Sequence, residues 1–192
     1  QMDLNIVPSN FVKQSVTSTS FDVMDEQTKQ LKGRIKVEKP VEVLFEGTDT
    51  NIFKQTKEFS ELFVKEMKNV KESFNFLYTG HWLQGKLGLI MKTSGAGFSV
   101  IDREDILKKI RTIKNTVKAK TLPSVYLLHG DFTDDEMNEL YNHPKVKAHV
   151  NITHGEGFGR PLLEASISGK PVIASNWSGH LDFLSKELSI LV

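Results

Sequence analysis

The chain has no cysteine. That excludes disulfides, zinc–thiolate sites and cysteine nucleophiles, and it is compatible with a cytosolic home, where thiols stay reduced. It also lacks an apolar run near the ~20 residues needed to span a bilayer. Charge bias is missing too: Lys and Arg number 25 against 24 Asp and Glu, a formal net charge of +1. No bulk field therefore points to nucleic acid or an anionic membrane. The opening residues Gln1–Val7 have neither the basic start nor the long apolar core of a signal peptide. The six histidines show no H-E-x-x-H or other metal spacing, so no protein-held metal is expected. What remains is 192 residues, 39% hydrophobic and 26% charged, enough for one domain with a core and some chain left over.

The richest stretch runs from Asn151 to Ala174. An apolar run (Val146, Ala148, Val150, Ile152) precedes His154, and Gly155, Gly157 and Gly159 then alternate through a turn. Pro161 suits the first helical position, where a missing N–H costs nothing. Gly169 suits the residue just past the helix end, and Pro171–Ala174 opens another strand. This is strand, glycine-rich turn, helix, strand. Glycines let a backbone approach a ligand closely, and the bare amides and dipole of a helix start attract an anion such as phosphate. Glu156 in the turn and Glu164 in the helix would repel a diphosphate but could accept hydrogen bonds from hydroxyls. Phosphate on amides and hydroxyls on carboxylates together describe a sugar nucleotide. The competing reading is a glycine-rich turn carrying solvated acids.

Those residues, Glu156-Gly-Phe-Gly-Arg-Pro-Leu-Leu-Glu164-Ala with Gly169–Ser175 and Ser178–Leu184 after them, resemble the signature of group 1 (retaining) glycosyltransferases of the GT-B fold. The resemblance implies an α/β fold: a doubly wound, mostly parallel, Rossmann-like sheet forming one half of a GT-B enzyme. It implies that Glu164 holds a nucleotide ribose. It implies that Glu156, Gly155, Gly157, Phe158 and Gly159 lie at the sugar and phosphate end, with Glu156 as the candidate catalytic residue. The family's loop after the strand that ends at Gly80 approaches the donor phosphates and carries an Arg and a Lys. Here His81 stands in place of the Arg and Lys86 is the counterpart of the Lys, with Lys92 and Arg160 in reserve. For each of these bases a solvated surface charge competes. Gly130, with His129 and Phe132, would neighbour the nucleobase, and ordinary turn residues explain them equally well.

Residues 1–40 are expected to hold the end of an acceptor-binding domain and a linker or surface excursion, with a short helix near Asp25–Leu31. Residues 41–192 are expected to form the nucleotide-sugar domain, cut short at its C-terminus. The strand of Val41–Phe53 is followed by a core stripe of Phe59, Leu62, Phe63, Met67 and Val70 at helical spacing. Phe74–Trp82 and Leu87–Ser94 read as strands, yet only His81–Lys86 separate Gly80 from Leu87. Parallel neighbours need a crossover of roughly a dozen residues or more, so the two either form a hairpin or have lost a helix between them. Asp102 can cap a helix whose Ile106, Leu107, Ile110, Ile113 and Val117 share a face, and Thr133-Asp-Asp-Glu136 is a capping box. The basic run on the first of these helices has no interleaved aromatics, which argues against nucleic acid. The expected partners are a nucleotide sugar and an acceptor of glycan, lipid or protein type, held by a missing N-terminal domain. No cofactor is expected. On its own the chain is expected to bind donor weakly or not at all and to turn over little. Rival readings are an inactive nucleotide-sugar-binding module and a sugar-nucleotide epimerase on the same fold.

Overall fold

The computed structural model describes residues 3–79, 89–93, 99–118 and 122–192. Its elements in order are β1 (Asn5–Val7), α1 (Asn10–Ser18), β2 (Ser20–Met24), β3 (Leu31–Lys36), β4 (Val41–Val43), α2 (Glu61–Met67), β5 (Asn75–Thr79) and β6 (Leu89–Lys92). There follow α3 (Val100–Thr116), β7 (Val125–Leu128), α4 (Asp134–Asn142), β8 (Val146–Asn151), α5 (Arg160–Ile167), β9 (Val172–Ala174), a 3-10 turn (Gly179–Asp182) and β10 (Ile190–Leu191).

Six of the strands form one parallel sheet in the order β10-β9-β8-β5-β6-β7. The chain starts at the centre with β5, winds outward through β6 and β7, returns to β8 beside β5, and winds the other way. This is a doubly wound α/β sheet. Burial follows the pleat. Leu77 of β5 packs with Phe63 and Met67 of α2, Leu140 and Tyr141 of α4, and Ala165 of α5. Its neighbours Phe76 and Tyr78 join Met91, Ile106 and Ile110 on the side of α3. Alternate residues of one strand thus feed two helical layers.

Several expectations change. β5 and β6 pair in parallel, Phe76 opposite Leu89 and Thr79 opposite Lys92, so they are not a hairpin. The connection 80–88 lies outside the described residues. Asp102 does not cap α3. Ser99 does, accepting from the Asp102 amide at 3.1 Å, while the Asp102 carboxylate meets His129 Nε2 at 2.9 Å. Leu62 is 64% exposed, because α2 starts at Glu61 and buries the face of Phe63 and Met67 instead. The helix expected near residue 25 is a turn. The Asp25 carboxylate accepts from the Gln27 and Thr28 amides and links β2 to β3 in an exposed antiparallel hairpin. Only Val41–Val43 of the long strand expected at 41–53 is extended in a sheet, paired in parallel with β1. Asp49 caps the turn that follows, its carbonyl taking the Ile52 and Phe53 amides. The Thr133 capping box is present as read, and α4 ends before Pro144.

Candidate functional site

β5 and β8 lie side by side, and the chain leaves them toward opposite edges of the sheet. Their C-terminal ends therefore border the crevice that a doubly wound sheet offers to ligands. Thr79 ends β5 and Asn151 ends β8, and both are buried. The Asn151 side-chain oxygen and His149 Nδ1 have no hydrogen-bond partner among the described residues. Burial pushes the His149 imidazole down to about 3, so it is neutral at ordinary pH.

The glycine turn leads from β8 into α5. Gly159 is the N-cap at φ 93°, a left-handed conformation, and a Cβ there would also sit 3.1 Å from that of His180. Conformation and space thus both call for glycine. Pro161 is the second helical residue rather than the first, where its missing N–H is equally harmless. The Leu162 and Leu163 amides both turn back to the Gly159 carbonyl. Among the described residues, no acceptor takes the amides of Gly157, Phe158, Gly159 or Arg160. These donors sit at the positive end of the α5 dipole, the arrangement that favours an anion.

The turn is braced from two sides. Ser178 sits at φ 95°, ψ −176°, a region nearly restricted to glycine, and its hydroxyl accepts from the Glu156 amide at 2.8 Å and donates to the Glu156 carbonyl at 2.7 Å. The Gly179 amide adds a third bond to that carbonyl at 3.0 Å. Phe158 is buried against Phe183 and Phe45. Near Gly157 lies the ring of Pro8, and the Asn10 amide at the start of α1 donates to Asp182 at 2.7 Å. The half-buried Glu156 is fixed at its backbone, yet its carboxylate makes no hydrogen bond or ion pair with any described residue. Its charge reaches Tyr78, whose phenol pKa is raised by burial first and by Glu156 second.

Glu164 is treated differently. It is 7% exposed, and both of its oxygens are engaged: Oε1 accepts from Arg160 Nε at 2.7 Å and Oε2 from the Tyr141 hydroxyl at 3.2 Å. Burial raises its pKa more than Arg160 and Tyr141 lower it. Arg160 also approaches Asp134 at 3.9 Å, so its guanidinium lies along α5 toward α4 rather than across the open amides. Lys92, at the end of β6, donates to the Gly130 carbonyl at 2.7 Å and stands 4.7 Å over the Phe132 ring, and burial lowers its pKa. It therefore braces the turn after β7. Gly130 adopts φ 139° in that turn. Gly80, His81 and Lys86 lie outside the described residues.

The structure thus gathers Gly155, Glu156, Gly157, Phe158, Gly159, Arg160 and Glu164 at the mouth of α5, and sets Lys92 and Gly130 on the far side of β5. Sequence reasoning missed Tyr141, Thr79, His149 and Ser178. Tyr141 falls in an apolar helical stripe and reads as core, and a serine in a glycine-like conformation leaves no compositional trace. Among the described residues, no group of three or more His, Asp or Glu is arranged to hold a metal, and no helix is long and apolar enough to cross a membrane.

Residues 107–189 match the family described as "Glycosyl transferases group 1". No curated protein sequence matches the chain. Among solved structures, a glycosyltransferase from Rickettsia africae ESF-5 superposes with a TM-score of 0.65 at 15% identity, over 97% of this chain and 48% of that one. Anabaena Alr3699/HepE in complex with UDP-glucose gives 0.54 at 16%, over 79% and 43%. The C-terminal domain of the group 1 protein LpcC from Francisella tularensis gives 0.50 at 15%, over 76% and 80%. The chain thus spans less than half the length of the first two of these proteins. The family match covers segment 107–189, and the Rossmann-like sheet is shared with these structures.

Proposed function

We propose that the chain is the donor-binding part of a glycosyltransferase that moves a sugar from a nucleoside diphosphate sugar to a glycan, lipid or protein acceptor, with retention of anomeric configuration. The observation that carries this reading is the mouth of α5, where unpartnered amides lie between an unpaired carboxylate, Glu156, and a buried one, Glu164. The amides of Gly157–Gly159 take the diphosphate, and the helix dipole stabilises it as it leaves. Glu164 takes the ribose hydroxyls. Glu156 orients the transferred sugar and can stabilise positive charge at its anomeric carbon. The complex of HepE with UDP-glucose supports this class of ligand on this fold. Residues 41–192 form the donor unit in this reading, and 1–40 carry the end of an acceptor-binding half and its linker. The reaction is placed in the cytoplasm and asks for no cofactor beyond the substrate itself.

Without the other half of the enzyme, binding is expected to be weak. The test is therefore NMR of the labelled chain with millimolar UDP, ADP or GDP. One of them should move the Phe158, Gly159 and Arg160 amides, and Glu164→Ala should abolish the movement. A wild-type chain unmoved by all three would overturn the donor-site reading and favour an inactive module. Product NMR of the two halves together distinguishes retention from inversion or epimerisation.

A further inference from the structure

We infer that Tyr141 is a positioning residue for Glu164: its buried hydroxyl holds the carboxylate so that one acceptor site on each oxygen is left for the two hydroxyls of a ribose. The inference rests on the donor-site reading above. It follows from counting acceptors. An ionised carboxylate offers about four lone-pair sites on its two oxygens. Arg160 uses one on Oε1 and Tyr141 one on Oε2, which leaves a pair that matches a vicinal diol.

Tyr141 is suited to this role because it cannot turn away. It is 1% exposed and packs edge-on to His149 at 5.8 Å and beside Phe53 at 6.4 Å. The Thr79 hydroxyl, at the end of β5, lies 3.4 Å from His149 Nε2, whose ring packs on the phenol, and it lowers the phenol pKa. Polar groups thus line the way from the end of β5, where the crevice opens, to the carboxylate on α5. Buried networks of this kind fix geometry because each lost member strands another.

The charged and titratable groups around Glu164 are Arg160 on its own helix, Tyr141 and Asp134 from α4, and His149 from β8 behind the phenol. Glu46 acts on Arg160 from the loop after β4. Burial favours the protonated acid, and Arg160 and Tyr141 oppose it. Removing the phenol's donation therefore shifts the carboxyl toward protonation, and a protonated Glu164, with an O–H on one oxygen, is a poorer acceptor for a diol.

The experiment uses Tyr141→Phe, which keeps the ring and removes one oxygen. Its fold is checked by the dispersion of its amide spectrum. In the ligand-free chain, the side-chain carboxyl carbon of Glu164 should titrate at higher pH in the variant than in the wild type. With the nucleoside diphosphate that the wild type binds, the variant should bind about tenfold more weakly, the scale of one hydrogen bond to a charged group. The acid limb of binding should move to higher pH. Thr79→Val, which strips the other side of the phenol, should give smaller changes of the same sign, and it decides the matter if Tyr141→Phe does not fold. An unchanged carboxyl titration with unchanged affinity would make Tyr141 a core residue only and overturn the inference, while leaving the donor site standing. If the wild type binds no nucleotide, the donor-site reading falls and the ribose role of Glu164 falls with it.

Discussion

Gly179→Ala tests the bracing of the glycine turn. A Cβ at this position would lie 2.0 Å from the Gly157 carbonyl oxygen, 2.6 Å from its carbon and 2.8 Å from the Ser9 hydroxyl. Ser9 is fully buried, and its hydroxyl already caps α1 by accepting from the Val12 amide. None of these atoms can swing aside as the tip of a long side chain would. The turn carrying Glu156 and Gly157 must therefore move away from the 3-10 turn that supports it. Overpacking of this kind costs about 1–3 kcal/mol. Moving Gly179 also breaks its bond to the Glu156 carbonyl, a further ~1 kcal/mol. The sum, about 2–4 kcal/mol, corresponds to a fall in melting temperature of roughly 4–16 °C for a chain of this size. The control is Gly47→Ala, where the added Cβ meets nothing within 4 Å. Urea and thermal unfolding of both variants would measure the difference. If Gly179→Ala is within ~0.5 kcal/mol of the control, the turn yields freely and the bracing argument is wrong.

Two further perturbations address other parts of the molecule. Thr133→Ala removes the hydroxyl that accepts from the Glu136 amide, leaves the backbone amide at 133 donating to the Glu136 carboxylate, and should cost ~1 kcal/mol, while the amide shifts of the α5 mouth with nucleotide stay as in the wild type. His149 predicts an acid sensitivity. Its folded pKa of about 3 lies below the ordinary 6.5, so between those values the unfolded chain binds the extra proton. The stability it supports is therefore complete above the upper value and falls as pH drops through that window, by about 2 kcal/mol on reaching about pH 5. Urea unfolding of wild type and His149→Asn should show the loss in the wild type and a flatter profile in the variant. Equal profiles would show that another group governs the acid response.

The local devices of this chain could be read from sequence because they are written in adjacent residues. Thr133 and Glu136 cap α4 at the expected spacing, and Gly159 and Gly169 stand at the two ends of α5 with left-handed φ. What could not be read depends on partners far along the chain. Asp102 is as good a cap by type as Ser99, but it meets His129 in the folded chain, and only tertiary contact decides between the two. Tyr141 and Glu164 lie on different helices and touch only because β8 sets α4 against α5. The β2–β3 hairpin was hidden for a different reason. Its Phe21 and Ile35 are paired across the ladder yet exposed, so the alternation that marks a half-buried strand is diluted by polar neighbours.

The two acids are held in opposite ways, and each way suits the role given to it in the proposed function. A carboxylate that must grip hydroxyls always in the same place gains from being fixed before the ligand arrives, since freezing a free side chain on binding costs ~1 kcal/mol. Glu164 is held in this way by Arg160 and Tyr141, with burial raising the stakes of leaving either bond unmade. A carboxylate beside a reacting centre needs the opposite, a fixed base and an uncommitted head. Glu156 has this arrangement, its amide and carbonyl tied to Ser178 and Gly179 and its oxygens unpaired with any described residue. The Ser178 backbone serves the fixing of Glu156. With one short side chain, Ser178 both accepts from the Glu156 amide and donates to the Glu156 carbonyl, in a backbone conformation that usually selects glycine.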